Sequence, residues 1–251
     1  MLIDTHCHLD CEPLASHLEP LLAEARAAGV THWLVPGIRP TGWPGIQRLC
    51  CRIDGALPAF GIHPMAWGAA DDDQLALLDQ LAPQAVAIGE IGLDRQLGEL
   101  KRQEPLFREQ LRIARRHGLP VLIHCRNAIG RTLSLLQEER IDAVGGIMHA
   151  FSGSLESARD CIRLGFAISL SATLTYREAT RSARLAADLP LQHLVLESDA
   201  PDLTPQRFKG SFNRPAWLLE TANRLASLKG LPLAAVAAAT TATARRVLRL
   251  P

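Results

Sequence analysis

Short apolar segments alternate along the chain with segments that carry leucine and alanine at helical spacing. The apolar segments occupy 2–4, 31–36, 56–62, 85–88, 120–124, 145–149, 166–170 and 193–197. Some show no alternation with polar residues, as in Ala85-Val86-Ala87-Ile88, which is typical of strands buried on both faces. Helical spacing extends over 18–28, 45–53, 72–81, 102–117, 129–138, 155–164 and from about 215 to the end. The pattern predicts eight β-strands separated mostly by α-helices.

The spacing of these segments indicates the fold class. Strand-like segments recur at intervals of roughly 20–35 residues, as they do in a (β/α)8 barrel. The length of 251 residues also suits one such barrel. A doubly wound open sheet is the competing architecture, and it would collect polar residues at one switch point. Here polar residues follow many different strands, so we expect an α/β protein with a single TIM barrel spanning residues 1–251.

Composition and charge narrow the function classes. Hydrophobic residues make up 47% of the chain and aromatic residues 4%, so the core must be mainly aliphatic. The formal net charge is +1 at pH 7, which disfavours a strongly basic nucleic-acid-binding module and a membrane-surface protein. An enzyme that binds a few phosphates locally is compatible with this charge.

The six cysteines indicate a reducing compartment. Small disulfide-rich scaffolds are shorter than this chain, and Met1 runs directly into a strand without a secretory signal pattern. No apolar run approaches the length of a membrane span. We therefore expect reduced thiols, a cytoplasmic location and no membrane partner. A structural zinc site on Cys7 and Cys11 is an alternative, but no second cysteine pair completes it.

Candidate metal-binding and catalytic residues follow the predicted strands. They are His6 and His8 after the first strand, His63 after the third, Glu90 and Asp94 after the fourth, His124 after the fifth, His149 after the sixth and Asp199 after the eighth. The carboxyl ends of all strands in a parallel barrel open onto one face, so these residues are expected to converge. Singly, each has a structural alternative, such as a core imidazole, a helix N-cap or a solvated turn. Jointly, their burial is costly unless a metal or mutual pairing compensates.

This donor set indicates two divalent metal ions. Four histidines with two carboxylates exceed what one catalytic zinc needs, because such a site uses about three protein ligands and leaves one position open. Glu90 is the natural bridge, since one carboxylate can give an oxygen to each ion. A paired site lowers the pKa of a bound water and stabilises the attacking and leaving oxygens of a displacement at phosphorus. Imidazole and carboxylate ligands accept Zn, Mn, Co or Ni, and Mg is a weaker fit.

Six short motifs contain these residues. They are Asp4-Thr5-His6-Cys7-His8-Leu9, Gly61-Ile62-His63-Pro64, Gly89-Glu90-Ile91-Gly92-Leu93-Asp94, His124-Cys125-Arg126, His149-Ala150-Phe151-Ser152-Gly153 and Glu197-Ser198-Asp199-Ala200-Pro201. In this order they resemble the motifs of the TatD family, which comprises metal-dependent deoxyribonucleases with a TIM barrel of the amidohydrolase-like type. The match extends from residue 2 to about 215, and Asn213-Arg214-Pro215 is similar to the YjjV-like branch. Ser169-Leu170-Ser171-Ala172 departs from the glycine-rich segment that relatives tend to have.

The resemblance implies a role for each motif residue. One metal would be held by His6, His8, Glu90 and Asp199, and a second by Glu90, His124 and His149. Asp199 would also take a proton from the attacking water. His63 and Arg126 would meet the substrate phosphate, and Asp94 would orient ligands. Strand periodicity independently favours Arg126, because it lies two residues past His124 on the same face and a guanidinium matches a phosphate.

The resulting hypothesis is a two-metal hydrolase that cleaves phosphodiester bonds of DNA as a 3′–5′ exodeoxyribonuclease, with a metal-bridged water as nucleophile and Asp199 and Glu90 as catalytic residues. DNA strand ends are the expected partner, without an obligate protein partner, and we expect a monomer or weak oligomer. One alternative is a metal-dependent small-molecule amide, lactone or ester hydrolase on the same barrel. Another is a non-catalytic metal-binding or interaction protein, which the intact ligand set disfavours.

Overall fold

The computed structural model describes residues 1–69 and 72–251 and contains eight parallel strands. The strands are β1 (Leu2–Asp4), β2 (Val30–Pro36), β3 (Ala56–Phe60), β4 (Ala87–Asp94), β5 (Val121–Arg126), β6 (Gly146–Met148), β7 (Phe166–Leu170) and β8 (Leu194–Leu196). Each strand pairs in parallel with the next along the chain, from β1 through to β8. Because consecutive strands are neighbours throughout, the sheet has no switch point, and the doubly wound alternative is excluded.

Backbone hydrogen bonds connect the first and last strands. The Thr5 N–H donates to the carbonyl oxygen of Leu196 over 3.0 Å, and the Asp199 N–H donates to the carbonyl oxygen of His6 over 2.9 Å. The two edges of the sheet therefore meet just beyond the ends of β1 and β8. The predicted (β/α)8 barrel is confirmed.

Nine helices of the described chain surround the barrel. They are α1 (Leu18–Ala27), α2 (Trp43–Arg52), α3 (Asp72–Leu81), α4 (Leu100–His117), α5 (Ile129–Glu138), α6 (Leu155–Arg163), α7 (Thr180–Asp188), α8 (Leu218–Lys229) and α9 (Leu233–Leu248). The sequence pattern did not predict α7. Leu185 is its one large apolar residue, whereas the predicted helices are marked by several leucines or isoleucines.

The C-terminal helical segment consists of two helices rather than one. Gly230 ends α8 in the left-handed conformation, with φ of 63°, and Pro232 precedes α9. Among the residues described, no single helix is long and apolar enough to cross a bilayer. Only the pair Pro215–Lys229 and Leu233–Leu248, bent by 110°, reaches that length and composition together.

The barrel interior is filled by one apolar residue from each strand. These residues are Ile3, Leu34, Ala59, Ala87, Leu122, Ile147, Ala167 and Val195. Ala244, Val247 and Leu248 of α9 pack against them. The Thr241 hydroxyl donates to the carbonyl oxygen of Met1 over 3.1 Å, which places α9 at the N-terminal end of β1. The opposite end, at the strand C-termini, is left for the polar residues.

Strand periodicity carries several candidate residues to that end. Alternate side chains of a strand point to the same face, so inward positions recur every two residues. His124 and His149 lie two residues after the interior residues Leu122 and Ile147. Asp199 lies four residues after Val195, and His63 lies four after Ala59. The same alternation that buries the barrel core therefore directs these four side chains toward one region.

Candidate metal centre

Four of the predicted ligands meet where the chain leaves β1 and β8. The Nε2 atoms of His6 and His8 are 3.2 Å apart. Each of them lies 3.6 Å from Oδ1 of Asp199. His6 Nε2 is also 3.3 Å from Oε2 of Glu90. Only one proton at most can stand between two imidazole nitrogens this close, whereas a cation placed there would satisfy both lone pairs and the carboxylates.

The other carboxylate oxygen of Glu90 faces three further histidines. Its Oε1 is 2.9 Å from His124 Nδ1, 3.6 Å from His63 Nε2 and 3.7 Å from His149 Nε2. Glu90 is 3% exposed. Its two oxygens thus face different sets of imidazoles, which is the arrangement that a bridging carboxylate requires.

Glu90 reaches the centre through an irregularity in β4. The sequence pattern ended this strand at Ile88, but β4 continues to Asp94. Glu90 lies an odd number of residues from the interior residue Ala87, so regular alternation would turn it away from the barrel. The ladder between β4 and β5 shifts register between Ile88 and Ile91. Such an irregularity re-aims a side chain, and here it turns Glu90 inward.

Gly92 allows the close approach of β4 to β5 beside this irregularity. Its φ is 148°, a conformation that other residues rarely adopt. A Cβ atom at this position would lie 1.9 Å from the carbonyl oxygen of His124. The second glycine of the Gly89–Gly92 motif is therefore required by the geometry that positions Glu90 and His124 together.

Burial and mutual interaction shift the pKa values of the central groups in opposite directions. Burial alone would raise the pKa of Glu90, but His6, His149 and His63 hold it well below its usual range. Burial would lower the pKa of His149, whereas Glu197, Asp199 and Glu90 raise it to about 10. Burial lowers the pKa of His63 to about 4. The centre thus combines ionised carboxylates with imidazoles of very different proton affinity.

The donor atoms fit divalent metal ions. Among the described residues, four groups of possible ligands have all their donor atoms within 4.8 Å of one another: His6 with His8 and Glu90, His6 with His149 and Asp199, His63 with Glu90 and His124, and His8 with Asp10 and Cys11. The Nδ1 atoms of His6 and His8 are buried without a hydrogen-bond partner among the described residues, so both rings gain stabilisation only through Nε2. Nitrogen and carboxylate donors of this kind suit transition metals such as zinc, manganese, cobalt or nickel.

His63 and His149 both lie close to Glu90, so these distances do not separate the two roles that the resemblance implies. The resemblance gives His149 to the second metal and His63 to the substrate phosphate. In the structure, His63 groups with Glu90 and His124, while His149 Nε2 groups with His6 and Asp199 and is 3.9 Å from Oδ1 of Asp199. Both histidines lie in the centre, and their separate roles stay predictions.

Glu197 is a buried carboxylate behind His149 whose role the sequence alone did not indicate. It is fully buried, and its Oε2 lies 3.0 Å from His149 Nδ1. The Ser169 hydroxyl donates to the same oxygen over 2.6 Å, and the Ala150 N–H donates to Oε1 over 2.7 Å. Glu197 therefore fixes the His149 ring from behind. Its position two residues after the interior residue Val195 indicates in the sequence that the side chain points toward the centre. Ser169, which completes the hydrogen bonds of Glu197, belongs to the segment Ser169-Leu170-Ser171-Ala172.

A second buried carboxylate connects β1 to the segment before Asp199. Asp4 Oδ1 accepts a hydrogen bond from the Ser198 N–H over 2.8 Å, and Oδ2 accepts one from the Ser198 hydroxyl over 2.6 Å. Burial raises the pKa of Asp4 to about 7. These bonds hold Ser198, the residue before Asp199, against the end of the strand that leads to His6.

Asp94 and two glutamines of α4 support the other half of the centre. Asp94 Oδ2 lies 3.0 Å from His124 Nε2, the position expected of a residue that orients this ring. Gln103 exchanges two hydrogen bonds of 2.8 Å with the backbone of Asp94. Gln110 does the same with the backbone of Ile62, next to His63, over 2.7 and 3.1 Å. One face of α4 thus holds the ends of β3 and β4 in register.

Within the part of the chain that the structure describes, Cys7 and Cys11 do not share a group of possible metal ligands, unlike the two-cysteine zinc site considered from the sequence. Cys7 is fully buried in the apolar core, and Cys11 instead lies with His8 and Asp10. Oδ1 of Asp10 is buried without a hydrogen-bond partner among the described residues. Asp10 and Cys11 thus lie close to the His8 ring and border the centre.

A cavity of about 720 Å³ opens beside the centre. His124, His149 and Asp199 line it on one side, and Arg126, Phe151 and Arg181 line it elsewhere. Arg126 ends β5, and its exposed side chain has no ion-pair partner among the described residues. The cavity therefore joins the donor cluster to a free guanidinium and offers a volume in which a small charged group can bind.

Comparisons with known proteins agree with this arrangement. A family model described as TatD related DNase matches residues 3–249. The uncharacterized metal-dependent hydrolase YabD of Bacillus subtilis (strain 168) is 34% identical over 255 residues, covering 100% of both chains. The uncharacterized metal-dependent hydrolase YjjV of Escherichia coli (strain K12) is 36% identical over 220 residues, covering 85% of this chain and 84% of YjjV. The crystal structure of that TatD homologue superposes with a TM-score of 0.95 at 33% identity, covering 100% and 98% of the two chains.

Proposed function

Because this chain belongs to the family of TatD-related DNases and is a metal-dependent hydrolase, we propose that it cleaves phosphodiester bonds of DNA with two divalent ions, as a 3′–5′ exodeoxyribonuclease. The observation that carries the proposal is the position of Glu90 between two sets of imidazoles. Its Oε2 faces His6 at 3.3 Å and its Oε1 faces His124 at 2.9 Å. One ion would be held by His6, His8, Glu90 and Asp199, and the other by Glu90, His124 and His149, with His63 close to the second.

The chain's own residues supply the remaining requirements of phosphodiester hydrolysis. When bound, a metal pair lowers the pKa of water and stabilises the charge that develops on the attacking and leaving oxygens. Asp199 borders both the donor cluster and the cavity, and its side chain is 13% exposed, so it can accept a proton from the attacking water. Glu90 and Asp94 hold the His124 ring from both of its nitrogens.

Arg126 and His63 are the groups that we assign to the phosphate. The guanidinium of Arg126 lies on the cavity wall, where its planar donors match two phosphate oxygens. His63 lies 3.6 Å from Glu90, and the Met65 N–H donates to its Nδ1 over 3.0 Å. Nδ1 is thereby an acceptor, which leaves the proton of the neutral ring on Nε2, directed at the centre. This ring can therefore donate one hydrogen bond to an oxygen of the substrate.

The test is hydrolysis by metal-stripped protein refilled with Mg²⁺, Mn²⁺ or Zn²⁺. End-labelled single-stranded DNA is offered beside a panel of phosphodiesters, carboxylic esters, lactones and amides. We expect metal-dependent shortening of the DNA from its 3′ end with release of mononucleotides. Intact DNA together with a cleaved ester, lactone or amide would contradict the nuclease proposal in favour of a small-molecule hydrolase. Metal binding without any hydrolysis would indicate a non-catalytic protein.

We also propose a cytoplasmic location, a monomer or weak oligomer, and DNA strand ends as the substrate without an obligate protein partner. All six cysteines of the described chain are free thiols, which supports a reducing compartment. Size-exclusion chromatography with light scattering tests the oligomeric state. Thiol titration of protein isolated under an alkylating agent tests whether the cysteines are reduced in the cell.

A further inference from the structure

The segment that follows Asp199 folds into a fixed loop beside the cavity. The side-chain amide of the buried residue Asn213 donates to the carbonyl oxygens of Ser198 over 2.7 Å and of Leu203 over 3.3 Å. The Asn213 N–H donates to the carbonyl oxygen of Pro201 over 2.8 Å. These bonds attach the far end of the loop to the residue next to Asp199. The loop therefore keeps a constant position relative to the metal centre.

Cations and aromatic rings alternate along this loop and its neighbours. We call them the cation–aromatic strip, which comprises Tyr176, Arg207, Phe208, Lys209, Phe212, Arg214 and Trp217. Lys209 Nζ lies 4.5 Å from the ring centroid of Tyr176, and the Phe208 and Trp217 rings stack with centroids 4.1 Å apart and planes at 13°. Arg214 lies 5.3 Å from the Phe212 ring and 5.2 Å from the Trp217 ring. All four rings keep part of their surface exposed.

The strip begins at the rim of the cavity. Thr173 and Glu178 line the cavity, and Tyr176 lies between them in the chain. Leu203 also lines the cavity and leads into the loop. The Gln206 N–H donates to the Thr175 hydroxyl over 2.9 Å, which holds the loop against the segment that ends in Tyr176. Tyr176, with Lys209 over its ring, therefore belongs to the segments that border the cavity on this side.

Lys209 is the cation of the strip that lacks an ionic partner. Arg207 lies 3.6 Å from a carboxylate oxygen of Glu220, and Arg214 lies 3.3 Å from one of Glu24. Within residues 1–69 and 72–251, Lys209 makes no ion pair and rests only on the Tyr176 ring. An exposed ammonium without a carboxylate favours an external anion, and a half-exposed ring beside it favours a flat apolar group.

We propose that the cation–aromatic strip holds the single-stranded DNA that continues from the end bound in the cavity, with Lys209 on a phosphate and Tyr176 stacked on a base. This inference rests on the proposed function, since it concerns the same substrate. Positive groups that follow a backbone, together with rings on which bases stack, are the two elements of binding to single strands without sequence preference. A duplex presents no exposed base faces, so stacking selects a single strand.

The test compares binding and turnover for a short and a long substrate of the metal-loaded protein. Fluorescence anisotropy measures binding of a slowly cleaved phosphorothioate oligothymidylate of about twelve nucleotides. Steady-state hydrolysis gives KM for the same length and for a dinucleotide. The variants are Lys209→Ala and Tyr176→Leu. The matched controls are Tyr176→Phe, which keeps the ring, Lys209→Arg, which keeps the charge, and Arg163→Ala, which removes an exposed cation at the C-terminal end of α6.

We expect the wild type to bind the longer strand more tightly than the dinucleotide. Tyr176→Leu should weaken binding of the longer strand by about five- to one-hundred-fold, as expected for one lost base stack. Lys209→Ala should weaken it and reduce the slope of log affinity against log salt by about 0.7, as expected for one lost phosphate contact. For each of these two variants, the loss of affinity for the longer strand should exceed the change measured with the dinucleotide. The three control variants should bind the longer strand as tightly as the wild type.

Each other result overturns one of the two proposals. The strip would be overturned if both variants bound the longer strand as tightly as the wild type does, or if the wild type bound duplex DNA more tightly than single strands. Normal DNA hydrolysis in that case would leave the proposed function intact. A different result would separate the two proposals in the other direction. If both variants lose strand binding but the wild type hydrolyses no phosphodiester, the strip is supported and the nuclease activity is contradicted. Circular dichroism of every variant checks that the changes arise in a folded protein.

Discussion

The Nδ1 atom of His149 lies 3.0 Å from Oε2 of Glu197, a carboxylate without any exposed surface. This contact fixes the orientation of the His149 ring and directs Nε2 toward Glu90 and Asp199. A carboxylate behind a histidine ligand also increases the basicity of the ring. Glu197 therefore acts through His149 and is a positioning residue rather than a catalytic one.

Glu197→Gln should lower the affinity of the centre for its second metal by about 10- to 100-fold, because the amide keeps the shape but removes the charge behind His149. Competition with a coloured chelator measures this affinity directly. Turnover should recover when excess metal is supplied, which distinguishes weak metal binding from damage to the reaction itself. An affinity equal to that of wild type would show that the contact has no bearing on the metal.

Glu90→Ala should disconnect both ions and abolish hydrolysis, since the two oxygens of Glu90 face different imidazoles, Oε2 facing His6 and Oε1 facing His124. Elemental analysis after dialysis should show fewer than two equivalents of metal per chain. Glu156→Ala, an exposed glutamate in the first turn of α6, is the matched control and should keep both metals. Normal turnover in purified Glu90→Ala protein would rule out the two-metal scheme.

Arg126→Ala should raise KM for phosphodiester substrates by about 10- to 100-fold, the loss expected for hydrogen bonds to a charged group. Any activity on a neutral carboxylic ester should change much less, because that substrate offers no anion to the guanidinium. Arg163→Ala serves as the control for removing one positive charge. Equal losses on charged and neutral substrates would assign Arg126 a structural role instead.

Gly92→Ala should destabilise the protein and weaken metal binding. The added Cβ would clash with the His124 carbonyl oxygen, and positive φ alone costs about 1–3 kcal/mol. Urea unfolding of the metal-free protein measures the change. The control is Gly130→Ala in α5, where a Cβ has open space and helix propensity should stabilise by about 1 kcal/mol. A Gly92→Ala variant as stable as wild type would show that the β4 irregularity tolerates a side chain.

An ion-pair network between α4 and α5 should make stability depend on acid pH. Glu139 is 6% exposed and accepts hydrogen bonds from Arg108 over 2.7 Å and from Arg112 over 2.9 and 3.1 Å. Burial alone would raise the pKa of Glu139, but these two guanidinium groups hold it below the ordinary value of 4.5. The unfolded chain therefore takes up the proton first as the pH falls. The contribution of these ion pairs to the free energy of unfolding is fully present above about pH 4.5. It is lost as the pH falls through the pKa that Glu139 has in the folded protein.

Glu139→Gln should accordingly lower the free energy of unfolding at pH 7, and the difference from wild type should shrink below pH 4.5. Urea unfolding of the metal-free proteins across this range measures the difference without pH-dependent metal binding, and protonation of the centre affects both proteins alike. Glu156→Gln provides the control for a surface charge. A difference that stays constant with pH would mean that the network does not depend on the ionised carboxylate.

The parts of the site that follow regular alternation were predictable from the sequence. His124 and His149 follow interior strand residues by two positions, and His63 and Asp199 follow them by four. Barrel geometry then requires that they converge, whatever lies between them in the chain. The motifs in which they occur also indicated the TatD family, which the family match confirms.

Other parts of the site depend on tertiary contacts that one sequence does not reveal. Glu90 turns inward because β4 is irregular, and periodicity alone would have turned it outward. Glu197 and Asp4 hold neighbouring segments through bonds to residues that are remote in the chain. Helix α7 contains a single large apolar residue, Leu185, so no row of leucines marks it in the sequence.

The junction between β1 and β8 has a consequence for biosynthesis. His6 and His8 leave the ribosome first, but Asp199 and the strand that closes the barrel follow about 190 residues later. At roughly 5–20 residues per second, about ten to forty seconds separate the two halves of the first metal site. During that time the early histidines have no carboxylate of β8 beside them. The nascent chain thus remains without a complete centre until β8 and Asp199 have been synthesised, and a ribosome-stalled chain that ends before residue 194 should retain no tightly bound metal.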